Sequence, residues 1–276
     1  MVIENISHFD PLAICESGQC FRMRAIPGGF TEAIYQDKAL LIERLGEGQF
    51  AFHCSQAEFE AIWREYFDLD TDYAAFIDAA DPADGYLTSA VASGSGLRIL
   101  NQDPWETLVS FLLSQRKSIP AIRDGIKKLC HRFGEPFAYN GRIEYAFPSP
   151  QKLAQADMEE LRACSLGYRA PYIQATARSV ASGETDLNAM RQWDDSALLE
   201  KLLSLHGAGI KVASCVMLFG YHRLDLAPVD VWIQRVIDKE YNGEAPFHKY
   251  KGFAGVMQQY MFYDQMMKKR LQRGIA

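Results

Sequence analysis

Lys211 and Asp230, nineteen residues apart, are the side chains with the clearest chemical potential. Lys211 follows His206-Gly207-Ala208-Gly209 and falls in the first turn of an expected helix, where the helix dipole disfavours a cation. An amine left uncharged in a partly desolvated groove is a nucleophile able to form a Schiff base. The same lysine also reads as a solvated cation reaching for a phosphate. Gly207 and Gly209 permit positive φ and close backbone approach, so the turn can present amide N–H groups and a helix N-terminus to an anion. A tight helix-to-helix turn favours glycine in any case, and both readings stand. Asp230 lies between Pro228-Val229 and the run VWIQRVI, where it suits an N-cap. Facing Lys211 across a groove, its carboxylate would instead stabilise positive charge developing on a sugar ring.

The elements that must hold these two groups follow from periodicity. Residues 196–221 predict two amphipathic helices joined by the glycine turn, and Val231 to Tyr241 predicts a helix behind Asp230. From Phe21 to Cys54, short alternating runs are separated by Pro27-Gly28-Gly29, Gln36-Asp37-Lys38 and Gly46-Glu47-Gly48, which predicts an antiparallel meander. Helical spacing then takes over, first at 57–67. Asp103, Pro104 and Glu106 give an N-cap, a first-turn proline and a capping-box carboxylate for a helix to Ser114, and Ser118 starts another that Gly134 stops. Further helices are expected at 150–164, 170–182 and 252–270. The small-residue segment Ala79 to Gly96 marks the expected boundary and reads equally as a helix with a loop behind it. The fold class is therefore α+β: a small antiparallel sheet domain with an appended helix over 1–80, then a helical domain over 81–276 made of two helical subdomains.

Composition narrows the function classes. The chain has 276 residues, 48% hydrophobic and 23% charged, which suits well-filled cores and excludes disorder, collagen-like repeats and a disulfide scaffold. The longest apolar runs are too short for a membrane span, and the N-terminus MVIENISHFD lacks a basic leader, so a cytoplasmic protein is expected. Six cysteines without a C-x-x-C pair point to reduced thiols and no metal site. The net charge of −6 hides a gradient: residues 1–100 hold 6 basic and 16 acidic side chains (−10), 101–200 hold 12 and 13 (−1), and 201–276 hold 11 and 6 (+5). Opposed ends of this kind allow a basic face on an acidic molecule.

L-H-G-A-G-I-K-V-A followed by P-V-D resembles the helix-hairpin-helix and catalytic aspartate signature of the base-excision DNA glycosylase superfamily, in its 8-oxoguanine branch. Five further segments match in order: Ser17-Gly18-Gln19-Cys20-Phe21-Arg22, Tyr66-Phe67-Asp68-Leu69-Asp70, Gln102-Asp103-Pro104 with Leu108 to Ser114, Leu166-Gly167-Tyr168-Arg169-Ala170, and Ala254-Gly255 with Gln258 and Phe262.

The resemblance implies a DNA glycosylase with β-lyase activity that needs no cofactor or metal and acts as a monomer on double-stranded DNA containing oxidised guanine, nucleoid-associated if the source is bacterial. The target nucleotide is flipped out; Lys211 attacks C1′, and Asp230 stabilises the transition state. The Gly18 carbonyl would face N7 of the lesion, Cys215 and Phe262 would sandwich the ring, and Gln258 would read its Watson–Crick edge. Tyr168 would fill the gap, while Gly207, Gly209, Arg116, Lys117 and Trp232 would meet the DNA. Read without the resemblance, Cys215 and Phe262 are core residues and Tyr168 is a turn tyrosine. The chain departs from the family at Gln115-Arg116-Lys117, where asparagines are common, so a cytosine preference opposite the lesion is not carried over. His206, Trp232 and Met23 replace the usual proline, histidine and tryptophan. Two alternatives remain: a related glycosylase-lyase for another damaged base, and a noncatalytic helix-hairpin-helix DNA-binding protein.

Overall fold

The computed structural model describes residues 1–272 and 274. The expected meander is present: β2 (Met23–Ile26), β3 (Phe30–Tyr35), β4 (Lys38–Gly46) and β5 (Gln49–Phe52) pair antiparallel, and β1 (Val2–Asn5) completes a five-stranded sheet of order β1-β5-β4-β3-β2. β1 lies before the alternating runs and joins by pairing Val2 with Phe52. Helix α1 (Pro11–Glu16), capped by Asp10, leads from β1 to the loop before β2. Phe50 and Phe52 meet Phe9 at 4.9 and 6.1 Å between ring centroids, and Phe52 meets Phe59 at 4.8 Å. These contacts bury the sheet against the first helical segment.

That segment runs as α2 (Gln56–Glu58), a π-helical turn Phe59–Trp63 and α3 (Arg64–Tyr66), where an unbroken α-helix was expected. The helical part comprises α4 (Tyr73–Asp78), α5 (Gly85–Gly94), α6 (Pro104–Ser114), α7 (Ile119–Phe133), α8 (Pro150–Gln155), α9 (Met158–Leu161), α10 (Ala170–Ala181), α11 (Asp195–Ser204), α12 (Ile210–Gly220), α13 (Val231–Glu240) and α14 (Ala254–Gln272). The small-residue segment is thus helix α5, and it packs on α14 from the other end of the chain. The expected helix over 150–164 is broken in two, because the backbone turns extended at Ala156 and Asp157 and Asp157 caps a new start; Ser165, at φ 63°, follows its end. A short hairpin, β6 (Pro136–Tyr139) and β7 (Arg142–Tyr145), follows α7.

Asp103 caps α6 through a bond from the Glu106 amide (2.8 Å), as its sequence predicts. The Glu106 carboxylate, however, does not close a capping box. It pairs with Arg22 at 3.1 Å, joining α6 to the sheet, while burial raises the Glu106 carboxyl and Arg22 opposes that rise. The buried side chains of sheet and helices form one continuous cluster.

Candidate active site and DNA interface

The hairpin between α11 and α12 is built as its glycines demand, but through only one of them. Gly207 sits at φ +83°, and a Cβ there would fall 2.4 Å from Tyr172 Cδ2. Gly209 has an ordinary φ of −87°, and a Cβ there would meet nothing within 4 Å, so it does not supply the positive φ expected of it. It serves as the N-cap of α12 without a side-chain hydrogen bond, leaving the first amides of that helix for an anion.

Lys211 projects from the first turn of α12, and Asp230 caps α13. Asp230 Oδ1 accepts from the amides of Trp232 (2.9 Å) and Ile233 (3.0 Å), while Oδ2 lies 3.9 Å from Lys211 Nζ. The two readings of Asp230, cap and catalytic partner, are therefore satisfied together by different oxygens. The Lys211 side chain is 46% exposed, more open than a desolvated groove implies, and Asp230 is 15% exposed.

One turn along α12, Cys215 is buried. Burial pushes its thiol up to about 12, with Lys211 opposing and Asp230 adding to the shift, so it remains a neutral apolar surface at physiological pH. Gln258 and Phe262 lie one turn apart on α14. Gln258 is 4% exposed, and its Oε1 is buried with no partner. Phe262 is half-buried against Gly18, whose φ is +77° and where a Cβ would come within 3.3 Å of the ring and 3.1 Å of Ile119. Only glycine fits this approach without strain.

The motifs around Gly18 are legible in the sequence, but what holds the loop is not. The Gln19 carboxamide donates to Arg98 O (2.8 Å) and accepts from the Leu100 amide (2.9 Å); Gln102 Nε2 donates to Gln19 O (2.9 Å), and Gln259 Nε2 to Ser17 O (2.8 Å). All three glutamines are buried. The S-G-Q and Q-D-P segments thus meet and, with α14, fix the loop whose carbonyls flank Gly18. A long polar residue recurring beside both motifs was the available signal.

Tyr168 is 51% exposed and backed by the Arg169 guanidinium, 4.2 Å from its ring centroid. Trp232 is half-buried under Lys269 Nζ at 4.0 Å. Arg116 is exposed at φ 53°. Lys117 instead donates to the Ser165 carbonyl, and burial together with Arg169 lowers its ammonium below the ordinary range. Arg123, Lys128 and Arg132 are engaged with Cys15 O, Asp124 and Glu160. Among the described residues no group of three or more His, Cys, Asp or Glu could hold a metal ion, and no helix is long and apolar enough to cross a membrane.

The sequence and fold are similar to those of known proteins. Residues 1–108 match the family described as "8-oxoguanine DNA glycosylase, N-terminal domain", and residues 109–250 match "HhH-GPD superfamily base excision DNA repair protein". The "Probable N-glycosylase/DNA lyase" of Methanothermobacter thermautotrophicus is 32% identical over 204 residues, covering 67% of this chain and 63% of that protein. The "N-glycosylase/DNA lyase" of Saccharomyces cerevisiae is 34% identical over 192 residues, covering 64% of this chain and 50% of that protein. The aligned region thus spans about half to two thirds of these curated relatives.

Solved structures align more fully. MBOgg1 in complex with a low-affinity DNA ligand gives a TM-score of 0.91 at 35% identity, covering 97% of this chain and 96% of that one. The Clostridium acetobutylicum 8-oxoguanine glycosylase/lyase, bound to double-stranded DNA with cytosine opposite 8-oxoguanine, gives 0.91 at 31%, covering 97% and 95%. The 3-methyladenine DNA glycosylase of Archaeoglobus fulgidus, at 20% identity and 0.79, shares the fold. The chain belongs to the HhH-GPD superfamily of base excision DNA repair proteins and carries the N-terminal domain of its 8-oxoguanine DNA glycosylases.

Proposed function

We infer that this protein is a bifunctional DNA glycosylase and lyase that removes 8-oxoguanine from duplex DNA. The observation that carries the reading is the approach of Lys211 Nζ to Asp230 Oδ2 at 3.9 Å, beside a buried thiol and at the N-terminus of the hairpin's second helix. A noncatalytic hairpin needs only the amides and a cation, and capping α13 needs only one oxygen of Asp230; the second oxygen, turned to Lys211, would repel the phosphate. An amine beside a half-buried carboxylate suits attack at a sugar carbon.

The hairpin amides hold the backbone near the lesion while the nucleotide leaves the stack, since C1′ is out of reach within it. The Lys211 amine bonds to C1′ as the bond to the base breaks, and the Asp230 carboxylate offsets positive charge spreading over the ring. The departing base takes up a proton. Ring opening gives an imine on Lys211; loss of a C2′ proton then expels the 3′ phosphate, and hydrolysis returns the amine.

Gly18, Cys215, Gln258 and Phe262 support a purine site. A carbonyl at Gly18 accepts from N7–H of 8-oxoguanine, whereas guanine presents a lone pair there. A mismatch of that kind costs about 1–3 kcal/mol, or roughly tenfold to a hundredfold in rate. The orphaned Gln258 Oε1 fits a ligand that brings a donor to it. We place the protein in the cytoplasm, at the nucleoid in a bacterial cell, acting on DNA as a monomer.

Borohydride trapping tests the reading directly. The protein should form a stable crosslink with duplex containing 8-oxoguanine, and Lys211→Gln should abolish it while retaining binding; trapping that persists in the variant removes Lys211 as the nucleophile. A lesion panel measured alongside should show weak cutting of thymine glycol, and equal cutting would defeat the purine site.

A further inference from the structure

Three segments that the proposed reaction brings against DNA converge on Gln115, at the end of α6. Its Nε2 donates to Leu112 O and to Gly207 O, each at 3.1 Å, so one carboxamide nitrogen serves both the helix end and the hairpin turn. Its backbone carbonyl accepts the guanidinium of Arg169, which stacks on the Tyr168 ring. Arg169 is buried, with Nε lacking any partner, so its orientation depends on the few acceptors it has. Tyr172 closes the loop from the other side: it meets Tyr168 edge-on at 6.1 Å and occupies the space beside Gly207.

We propose that Gln115 is a positioning residue that couples the hairpin's grip on the DNA backbone to insertion of Tyr168 into the gap left by the extruded nucleotide. The proposal deepens the base-flipping reading above and rests on it. Tyr168 is half exposed and cannot be oriented by burial; beside its edge contact with Tyr172 it takes its direction from Arg169, and Arg169, which also donates to Leu166 O at 3.4 Å, takes its own from the Gln115 carbonyl. A shift of the hairpin as it engages phosphate pulls on Gly207 O, hence on the Gln115 side chain and on that carbonyl. Neither Arg169 nor Tyr168 needs to touch the hairpin to respond to it.

The test uses the full chain and a duplex carrying a tetrahydrofuran abasic analogue beside 2-aminopurine, in which no bond is broken. Gln115→Met keeps the length and removes both donors; Gln115→Lys keeps donor protons one bond further out, within reach of the same carbonyls, and its added charge strengthens binding to both duplexes without changing their ratio. In Gln115→Met the affinity ratio of abasic to undamaged duplex should fall about three- to tenfold, the loss expected for a hydrogen-bonded link. The 2-aminopurine rise that reports gap filling should slow, and the thermal midpoint should fall only by the few degrees that lost intramolecular hydrogen bonds imply.

Gln115→Lys should restore ratio and rise. A purely structural role would lower stability without moving that ratio. An unchanged ratio in Gln115→Met, or an equal loss in both variants, overturns the coupling. Gln115→Ser, which leaves no bulk to misplace, takes the place of the methionine variant if that one fails to fold. Trapping of the unaltered protein on 8-oxoguanine duplex is read in parallel: its absence counts against the glycosylase reading, while the abasic ratio still decides on Gln115.

Discussion

Asp230 divides its carboxylate between two tasks: Oδ1 holds the Trp232 and Ile233 amides, and Oδ2 faces Lys211 Nζ at 3.9 Å. The cap fixes the carboxylate plane, so the second oxygen is aimed by the helix rather than by a mobile side chain. Asparagine caps as well as aspartate but carries no charge. Asp230→Asn should therefore melt within about 0.5 kcal/mol of the parent, yet lose about a hundredfold or more in single-turnover excision. Asp230→Ala should lose the same activity and a further ~1 kcal/mol of stability with the cap. Equal stabilities for the two variants would show that the cap contributes little.

The two hairpin glycines should respond oppositely to alanine. At Gly207 an L-residue meets both the left-handed φ of +83° and the Tyr172 ring, and the backbone strain alone is about 1–3 kcal/mol. Gly207→Ala should be visibly destabilised in urea. Gly209→Ala has open space and an ordinary φ, so it should fold within about 1 kcal/mol of the parent while binding duplex more weakly, because its methyl group would crowd the anion site proposed at the hairpin amides. Normal DNA affinity in Gly209→Ala would place the phosphate elsewhere.

Gln258 presents a case where removing a polar group helps folding and harms function. Its Oε1 is buried and unpartnered, and such a group costs about 1–3 kcal/mol relative to a satisfied one. Gln258→Leu should raise or leave unchanged the thermal midpoint and reduce the preference for 8-oxoguanine over guanine at least tenfold. A marked fall in stability would mean that the carboxamide is tied into the fold rather than kept for a ligand.

What the sequence disclosed and what it withheld divide along physical lines. Caps are local chemistry, so Asp103 and Asp230 were legible at the starts of α6 and α13. Apolar spacing set the extents of α6, α7, α10, α12 and α13, but not the π-helical turn at Phe59–Trp63 or the break between α8 and α9. The β6–β7 hairpin was not anticipated, because its strands are four residues each and mostly exposed; yet its turn, Asn140-Gly141, has both residues at positive φ, the strongest short-range hairpin signal. Long-range partners were beyond reach. Glu106 reads as a capping-box residue until Arg22, 84 positions earlier, is seen beside it. The residue types in the base site came from resemblance alone, since Cys215 and Phe262 in an apolar helix read as core. Only the fold reveals that Gln19, Gln102 and Gln259 converge on the loop holding Gly18.

Burial of the thiols makes stability sensitive to alkali. Cys130 and Cys215 are each pushed up to about 12 by burial. In the unfolded chain such thiols lose their protons near pH 8.5. Below that pH both states hold the protons and nothing is lost. Between there and the folded values the unfolded state binds fewer protons, so stability falls as pH rises, by about 1.4 kcal/mol per pH unit for each thiol. The melting temperature should decline steadily from pH 8.5 to 10.5, and Cys130→Ala with Cys215→Ala should flatten the decline even though it lowers the starting value. Parallel curves for parent and double variant would assign the alkaline loss to other groups.

Arg116 has no ion pair within the described residues, whereas Lys128 and Arg132 on the following helix are matched to Asp124 and Glu160. A cation already neutralised by a carboxylate releases fewer counterions when it meets a phosphate. Arg116→Ala should therefore reduce the slope of log affinity against log salt by about 0.9, and Lys128→Ala by clearly less. A guanidinium also offers only donors, and acceptors are present on the exposed edges of every orphaned base. The parent should consequently excise 8-oxoguanine opposite all four bases within roughly tenfold of one another, the discrimination of a single weak contact. Arg116→Asn, which adds an acceptor, should widen that spread in favour of the bases whose exocyclic amine can donate to it, cytosine, adenine and guanine, over thymine. A hundredfold preference for cytosine in the parent, unchanged by either substitution, would move opposite-base reading away from Arg116.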